Sequence, residues 1–383
     1  MKKITSTLRV CFFGTYDNTY TSNLLTIRGL KSNGAQVVEV NAHVKVTTLN
    51  KQSEMGWWQL VKRVLKKYRI LTVIVKNWSV FSQVDVLYVG YPGHFDVFFA
   101  VILGKIFHIP VVFNPLLIFY IGFVEEQKIL SPDSLLARFI KWGESLVYQS
   151  VDLVIADTPF QQALLMKEFG VAPDKIVSVP IGADDKVYRY TPYTNIKGKK
   201  LHVVYYGLYS PIHGVEHIID AAQALQKNSA IHFTMVGNGQ TFQPNFDRAK
   251  KLTLTNITFH HDLPESEHIA ILQQADVFLG FLAKHPTVER VIPNKVYQGL
   301  SLGKVVLTAD SPVIRSVLTH RKTVFTIPPA DSLALVKALE ELSRNASLRS
   351  SIATEGYQLF LHKFTAQAVG KQLLESMHNI IKK

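Results

Sequence analysis

Short apolar segments, each closed by a glycine or a turn, alternate with helical stretches along this chain, and the alternation occurs twice. Residues 8–13 run into Gly14, 36–40 follow a helical stretch at 24–33, and 84–89 run into Gly90. Val111–Phe113, Leu153–Ala156 and 176–179 continue the strand series, with helices expected at 95–107, 135–149 and Pro159–Phe169 between them. Short apolar strands separated by helices require a parallel sheet covered on both faces. The pattern fails at 184–200, where no period survives, and restarts at Leu201–Tyr206 before Gly207. Ile231–Val236 before Gly237, 276–282, 305–308 and 323–327 read as further strands, with helices at 215–225, 265–274, 294–302 and 331–344. A length of 383 residues suits two such units. The expected class is therefore α/β: two doubly wound, Rossmann-like domains at 1–185 and 186–364 facing across a cleft. A final helix within 365–383 has no strand after it and is expected to pack back toward the first domain.

Composition narrows the setting. The most apolar region, 95–123, is interrupted by Lys105, His108, Pro110, Asn114 and Pro115. It never offers the roughly 18 uninterrupted apolar residues of a spanning helix. The apolar stretch that ends at Gly14 is short for a signal peptide, so no cleavable leader is expected, and Cys11 is the single cysteine, so a reducing compartment and a buried, inert thiol are expected. These features suggest a cytoplasmic protein, soluble or peripheral on the inner face of a membrane. A net charge of +13 implies anionic partners. Between Glu54 and Asp85 lie six Lys/Arg and no acid. The segment from Trp57 and Trp58 through Lys62, Arg63, Lys66, Lys67 and Arg69 reads as a basic amphipathic helix suited to an anionic membrane surface. The plain alternative is a solvated helix with a core-facing stripe. No nucleic-acid-binding module accompanies the charge, so nucleic acid is not expected as a partner.

In open α/β sheets ligands bind beyond the carboxyl ends of the strands, so the candidate residues are sought there. Gly207, His213 and Gly214 join a strand to a helix, where glycine admits a ligand to the backbone and a helix N-terminus favours an anion. Gly237 and Gly239 follow the next strand but lack the third glycine of a dinucleotide fingerprint. The run Arg290-Val-Ile-Pro-Asn294-Lys295 is expected to open a helix, with two cations able to clamp a diphosphate; a solvated cap is the alternative. Gly14 and Tyr16 follow the first strand, and His94 and Asp96 stand after Gly90, where a helix-capping role competes with a contact to substrate. His213 and His217 are four apart, a metal-binding spacing on one helix face, but no third ligand stands out and no Asp-x-Asp pair occurs.

These motifs carry a resemblance. Ala275-Asp276-Val-Phe-Leu-Gly280 followed by Arg290 through Lys295, Gln298, Gly303, Lys304 and Thr308 resembles the donor-site segment of bacterial family 4 glycosyltransferases. Tyr206-Gly207 through Glu216, Gly237 to Gly239, and Phe13-Gly14-Thr-Tyr16 extend the likeness over nearly the whole chain. The resemblance implies the GT-B fold and transfer from a nucleotide-diphosphate sugar with retained configuration, no cofactor and no metal. Its donor site would comprise Gly207, His213, Gly237, Gly239, Asn294 and Gln298, with Arg290 and Lys295 on the diphosphate. His94 would serve the sugar or the acceptor, and Gly14, Tyr16 and Asp96 would lie on the acceptor side. A lipid-linked or saccharide acceptor in surface polysaccharide or glycolipid assembly is implied. Two departures stand out: Gln298 replaces the family's ribose-binding glutamate, and Leu208 and His213 occupy the neighbourhood of its Arg/Lys pair. They keep open a non-catalytic subunit that needs a partner glycosyltransferase, and a sugar-nucleotide epimerase is a further alternative.

Overall fold

The structure, a computed structural model, describes residues 7–16, 20–42, 69–192, 200–261 and 263–382. The basic helix expected at 57–69 lies outside them except for Arg69. The chain forms two compact units, residues 1–181 with 366–383, and 182–365.

Six strands of the first unit form a parallel sheet: β1 Arg9–Gly14, β2 Gln36–Asn41, β3 Val86–Val89, β4 Val111–Phe113, β5 Leu153–Ala156 and β6 Ile176–Ser178, in the order β2-β1-β3-β4-β5-β6. Register is set by pairs such as Phe13 with Val40 and Val89 with Phe113. The central strands are buried on both faces, as their unbroken apolar sequences require. Cys11 belongs to this core, and burial pushes its thiol up to about 12. Helices Arg69–Lys76, Trp78–Phe81, Asp96–Phe107, Leu135–Ser150 and Pro159–Phe169 pack on one face. Thr21–Ser32 and Ala366–Ile381 pack on the other. The last helix reaches Thr21–Ser32 through two glycines: a Cβ on Gly370 would lie 2.1 Å from the carbonyl carbon of Gly29. Nothing larger permits that backbone approach.

The second unit repeats the design with β7 Leu201–Tyr206, β8 Ile231–Val236, β9 Ile257–His260, β10 Val277–Leu279, β11 Val305–Ala309 and β12 Phe325–Ile327, in the order β12-β11-β10-β7-β8-β9. The strand β9 is not evident in the sequence because it is an edge strand with a half-exposed, polar face. Helices Phe242–Lys251 and Ala346–Lys363 also escape the sequence reading. In both units strand order reverses beside the first strand, between β1 and β3 and between β7 and β10. The carboxyl ends of those pairs diverge there and open a crevice.

Candidate functional site

In the second unit the reversal brings Gly207, at the end of β7, against the helix Asn294–Ser301. That helix sits low on the sheet because Gly299 lets it touch Val306 and Phe278; a Cβ there would lie 2.7 Å from the Val306 side chain. Lys295, at the second position of the helix, consequently points inward. It is 5% exposed, its Nζ lies 4.1 Å from the centre of the Tyr205 ring and 5.9 Å from that of Phe281, and Nζ has no hydrogen-bond partner. Burial lowers its pKa from 10.5 to about 7. An ammonium held by ring faces alone, at a strand end, is poised for an anion. Gly207 is what leaves room for it: a Cβ there would come within 3.2 Å of Nζ and 3.8 Å of His213 Cε1.

His213 lies beside it with a fixed tautomer. The Tyr205 hydroxyl donates to the Leu208 carbonyl at 2.5 Å and lies 2.6 Å from His213 Nδ1, so Nδ1 carries the proton and donates to the tyrosine oxygen. Burial first, and then the Lys295 charge, lower the imidazole pKa well below its usual value, against a smaller opposing effect of the Leu208 carbonyl. A neutral His213 offers Nε2 as an acceptor, suited to a hydroxyl, and leaves Lys295 as the cation of this pair. His217 does not join it: Gly214, at φ +67°, starts a new helix, and His217 bonds Ser332. Among the described residues no three His, Cys, Asp or Glu side chains gather as metal ligands.

The flanking loops close on the same strand end. A Cβ on Gly237 would lie 2.0 Å from the Gly207 carbonyl oxygen, and one on Gly239 2.7 Å from the Tyr209 nitrogen. Both glycines are thus required by backbone packing between the loops after β7 and β8. Gln298 is buried one turn beyond Lys295, and Asn294 is the first residue of the helix, capped by Pro293 without a side-chain bond. The Lys295 helix begins at Asn294, within the expected 294–302. Arg290 stands before it, at the end of a separate short helix Pro286–Arg290 that the sequence reading did not include, because Val291 is extended and Pro293 disfavours helix before it. Arg290 is half-buried and engaged within the protein.

In the first unit the reversal between β1 and β3 holds a second polar cluster. The Asp96 carboxylate accepts from the Thr15 amide at 2.8 Å and the Thr15 hydroxyl at 2.9 Å, tying the Gly14 turn to the helix Asp96–Phe107. Tyr16 is buried and donates to Glu39 at 3.2 Å. His94 is 6% exposed and stacks on Phe119 with ring centres 4.0 Å apart. Its Nε2 lies 3.3 Å from Glu144 Oε1, and its Nδ1 is buried without a hydrogen-bond partner. Glu144 also accepts from the Phe119 and Tyr120 amides at 2.7 and 2.8 Å and from the Tyr148 hydroxyl at 2.9 Å. Nε2 also lies 3.3 Å from the Tyr148 hydroxyl, whose own proton goes to Glu144, so Nε2 carries the proton and donates to the tyrosine oxygen, and Nδ1 is the atom left to act. Glu144 and Tyr148 were not singled out in the sequence, where Glu144 sits mid-helix with no motif around it. Asp157 was also missed. Burial pushes its carboxyl up to about 8, and with Ser22, Thr26 and Asn114 it lines a cavity of about 10 Å³, room for about one water.

Comparison with known proteins fixes the class of this arrangement. Residues 190–359 match the family described as glycosyl transferases group 1. Among solved structures, HepE of Anabaena in complex with UDP is similar over 98% of this chain and 100% of its own, with a TM-score of 0.66 and 14% identity. Sucrose-phosphate synthase of Thermosynechococcus elongatus gives a TM-score of 0.67 at 13% identity, over 98% and 100% of the two chains. A glycosyltransferase of Rickettsia africae gives 0.64 at 13%, over 99% and 100%. No curated protein sequence matches the chain. The fold is GT-B, and the second half carries a group 1 glycosyltransferase domain.

Proposed function

We propose that this chain, with a group 1 glycosyltransferase domain as its second half, transfers a sugar from a uridine-diphosphate sugar to a saccharide or lipid-linked acceptor at an anionic membrane surface. The observation that carries the reading is Lys295, a buried ammonium without a hydrogen-bond partner beside the Gly207 backbone. When the bond from the anomeric carbon to the diphosphate breaks, negative charge grows on the departing phosphate. A fixed cation in a dry site stabilises that charge without reorganising, which suits a reaction needing no metal. The neutral His213 and the amide of Gln298 are acceptors and donors for hydroxyls, on the sugar and the ribose respectively. His94, oriented by Glu144, offers Nδ1 to a hydroxyl of sugar or acceptor. Uridine is the base proposed because the Anabaena neighbour holds UDP. Retention of configuration follows the family 4 resemblance.

A thermal-shift screen of the purified chain against UDP, GDP, dTDP, CMP and their sugar conjugates tests the donor class. Ligands that bind only the folded state stabilise it by mass action, by about 2.7 kcal/mol at a hundredfold excess over Kd, and so raise the midpoint. UDP and its sugars are expected to do so. A shift confined to another base would replace uridine, and no shift in folded protein would remove the donor reading. Gln298 favours one second reading, a subunit that binds nucleotide but turns over only with a partner. It predicts a UDP shift together with transfer that appears on mixing.

Proton linkage gives an independent check. The free protein holds Lys295 near half-protonation at pH 7, and a bound diphosphate stabilises the ammonium. Binding therefore takes up a proton above that pH. The affinity for a UDP-sugar, whose phosphates do not titrate nearby, should be level below about pH 7 and fall roughly tenfold per unit above it. Calorimetry in buffers of different ionisation enthalpy reads the proton directly. A level affinity from pH 6.5 to 8.5 would separate Lys295 from the diphosphate.

A further inference from the structure

The three outermost helical segments on one sheet face of the first unit are apolar on both sides. The inward side of each belongs to the core against the sheet, through Ile70 and Ile74, Val97 and Leu103, and Ala137 and Tyr148. Among the described residues nothing covers the outward side. Leu71, Val75 and Trp78 are exposed along 69–81, and Phe98, Ile102 and Ile106 along Asp96–Phe107. On Leu135–Ser150 the exposed stripe is Leu135, Phe139, Trp142 and Leu146, with Phe139 64% and Trp142 59% accessible. Trp78 packs on Phe107 at 5.0 Å, and the second and third segments also touch, so the stripes are neighbours. The patch ends at Pro159–Phe169, the next helix on that face, which exposes no large apolar side chain. Single exposed apolar residues are ordinary, but stripes on three adjacent helical segments make a docking surface.

Charge selects the partner. These helices carry Arg69, Lys76, Lys105 and Arg138 exposed at their surface. They contain two acids, Asp96 and Glu144, and both are buried with their oxygens turned to inward donors. An extended apolar surface with tryptophans and exposed cations and without an exposed carboxylate matches an anionic bilayer, where rings enter the interfacial region and ammonium and guanidinium groups meet lipid phosphates. No helix among the described residues is long and apolar enough to cross a membrane, so contact is by lying on it.

We infer that the outward face of residues 69–81, 96–107 and 135–150 is the surface by which this chain docks on an anionic lipid bilayer. The inference deepens the membrane-proximal half of the proposed function and rests on it, but not on any donor or transfer step. The test is co-sedimentation of the full chain with phosphatidylcholine vesicles, with and without roughly 30 mol% phosphatidylglycerol. The chain should bind the anionic vesicles preferentially and be weakened by salt. Phe139→Glu with Trp142→Glu should lower that binding roughly tenfold or more while the thermal midpoint and the UDP shift stay unchanged, since both side chains are exposed. Wild-type chain left in the supernatant, or binding indifferent to the two substitutions, overturns the inference. So does a wild-type dimer that the substitutions dissociate, for the face would then belong to a second copy. Vesicle binding, its loss and the oligomeric state are all read without nucleotide, so a failed donor screen and a failed sedimentation remain separate results.

Discussion

Lys295→Met should leave a folded and more stable protein that transfers sugar some hundredfold to thousandfold more slowly, the range seen when a charge-stabilising donor is removed. The two effects share one cause. Lys295 holds its ammonium in a site where Tyr205 and Phe281 present ring faces and no carboxylate balances it. Replacing a poorly compensated buried charge by an apolar side chain of similar length stabilises proteins by about 1–4 kcal/mol. The sign of the pH dependence follows from the depressed pKa. Between about pH 7 in the folded chain and about 10.4 in the unfolded one, the unfolded chain keeps a proton that the folded chain has released. The stability of wild type therefore rises with pH across that window, and its deficit relative to the methionine variant should shrink toward pH 10. Scanning fluorimetry of the free protein at pH 6, 8 and 9.5, beside steady-state kinetics, measures both halves. Unchanged turnover, or a less stable variant at pH 6, would show that Lys295 is an ordinary core residue.

Removing the carboxylate of Glu144 should be the most damaging single change in the first unit. Glu144→Ala strands the Phe119 and Tyr120 amides and leaves the Tyr148 hydroxyl and His94 Nε2 with only each other in a buried place, and loss of one partner of a buried charged network costs about 3–5 kcal/mol. Chemical denaturation should record that loss. Glu144→Gln is the more informative variant for function, because its amide keeps the volume and one acceptor. If Glu144 positions His94, then Glu144→Gln and His94→Ala lower kcat with little change in KM, and the double variant is no slower than the slower single one. Losses that multiply would make Glu144 a purely structural residue.

Much of the donor-side cluster was legible because it is local. Glycine after an apolar strand marks the turns at Gly207 and Gly237, and the Pro293-Asn294-Lys295 run marks a helix start. What was not legible before that start is the short helix Pro286–Arg290, which the extended backbone at Val291 separates from the helix at Asn294. Glu144 and Tyr148 were invisible because an acid and an aromatic four apart on a helix are commonplace until Phe119 and His94 are brought to them.

The sequence alone determined the two α/β halves and the strand ends at which to look, since periodicity and glycine placement act over a few residues and need no partner. It also determined the excess of positive charge. Tertiary structure decided what those residues became. It turned Lys295 inward, buried His213 and fixed its tautomer through Tyr205, and tied Asp96 to Thr15. It also left apolar stripes bare on three helical segments of the first unit. Burial and pairing belong to segments far apart in the chain, and which face of an all-apolar helix meets the core is set by the sheet beneath it.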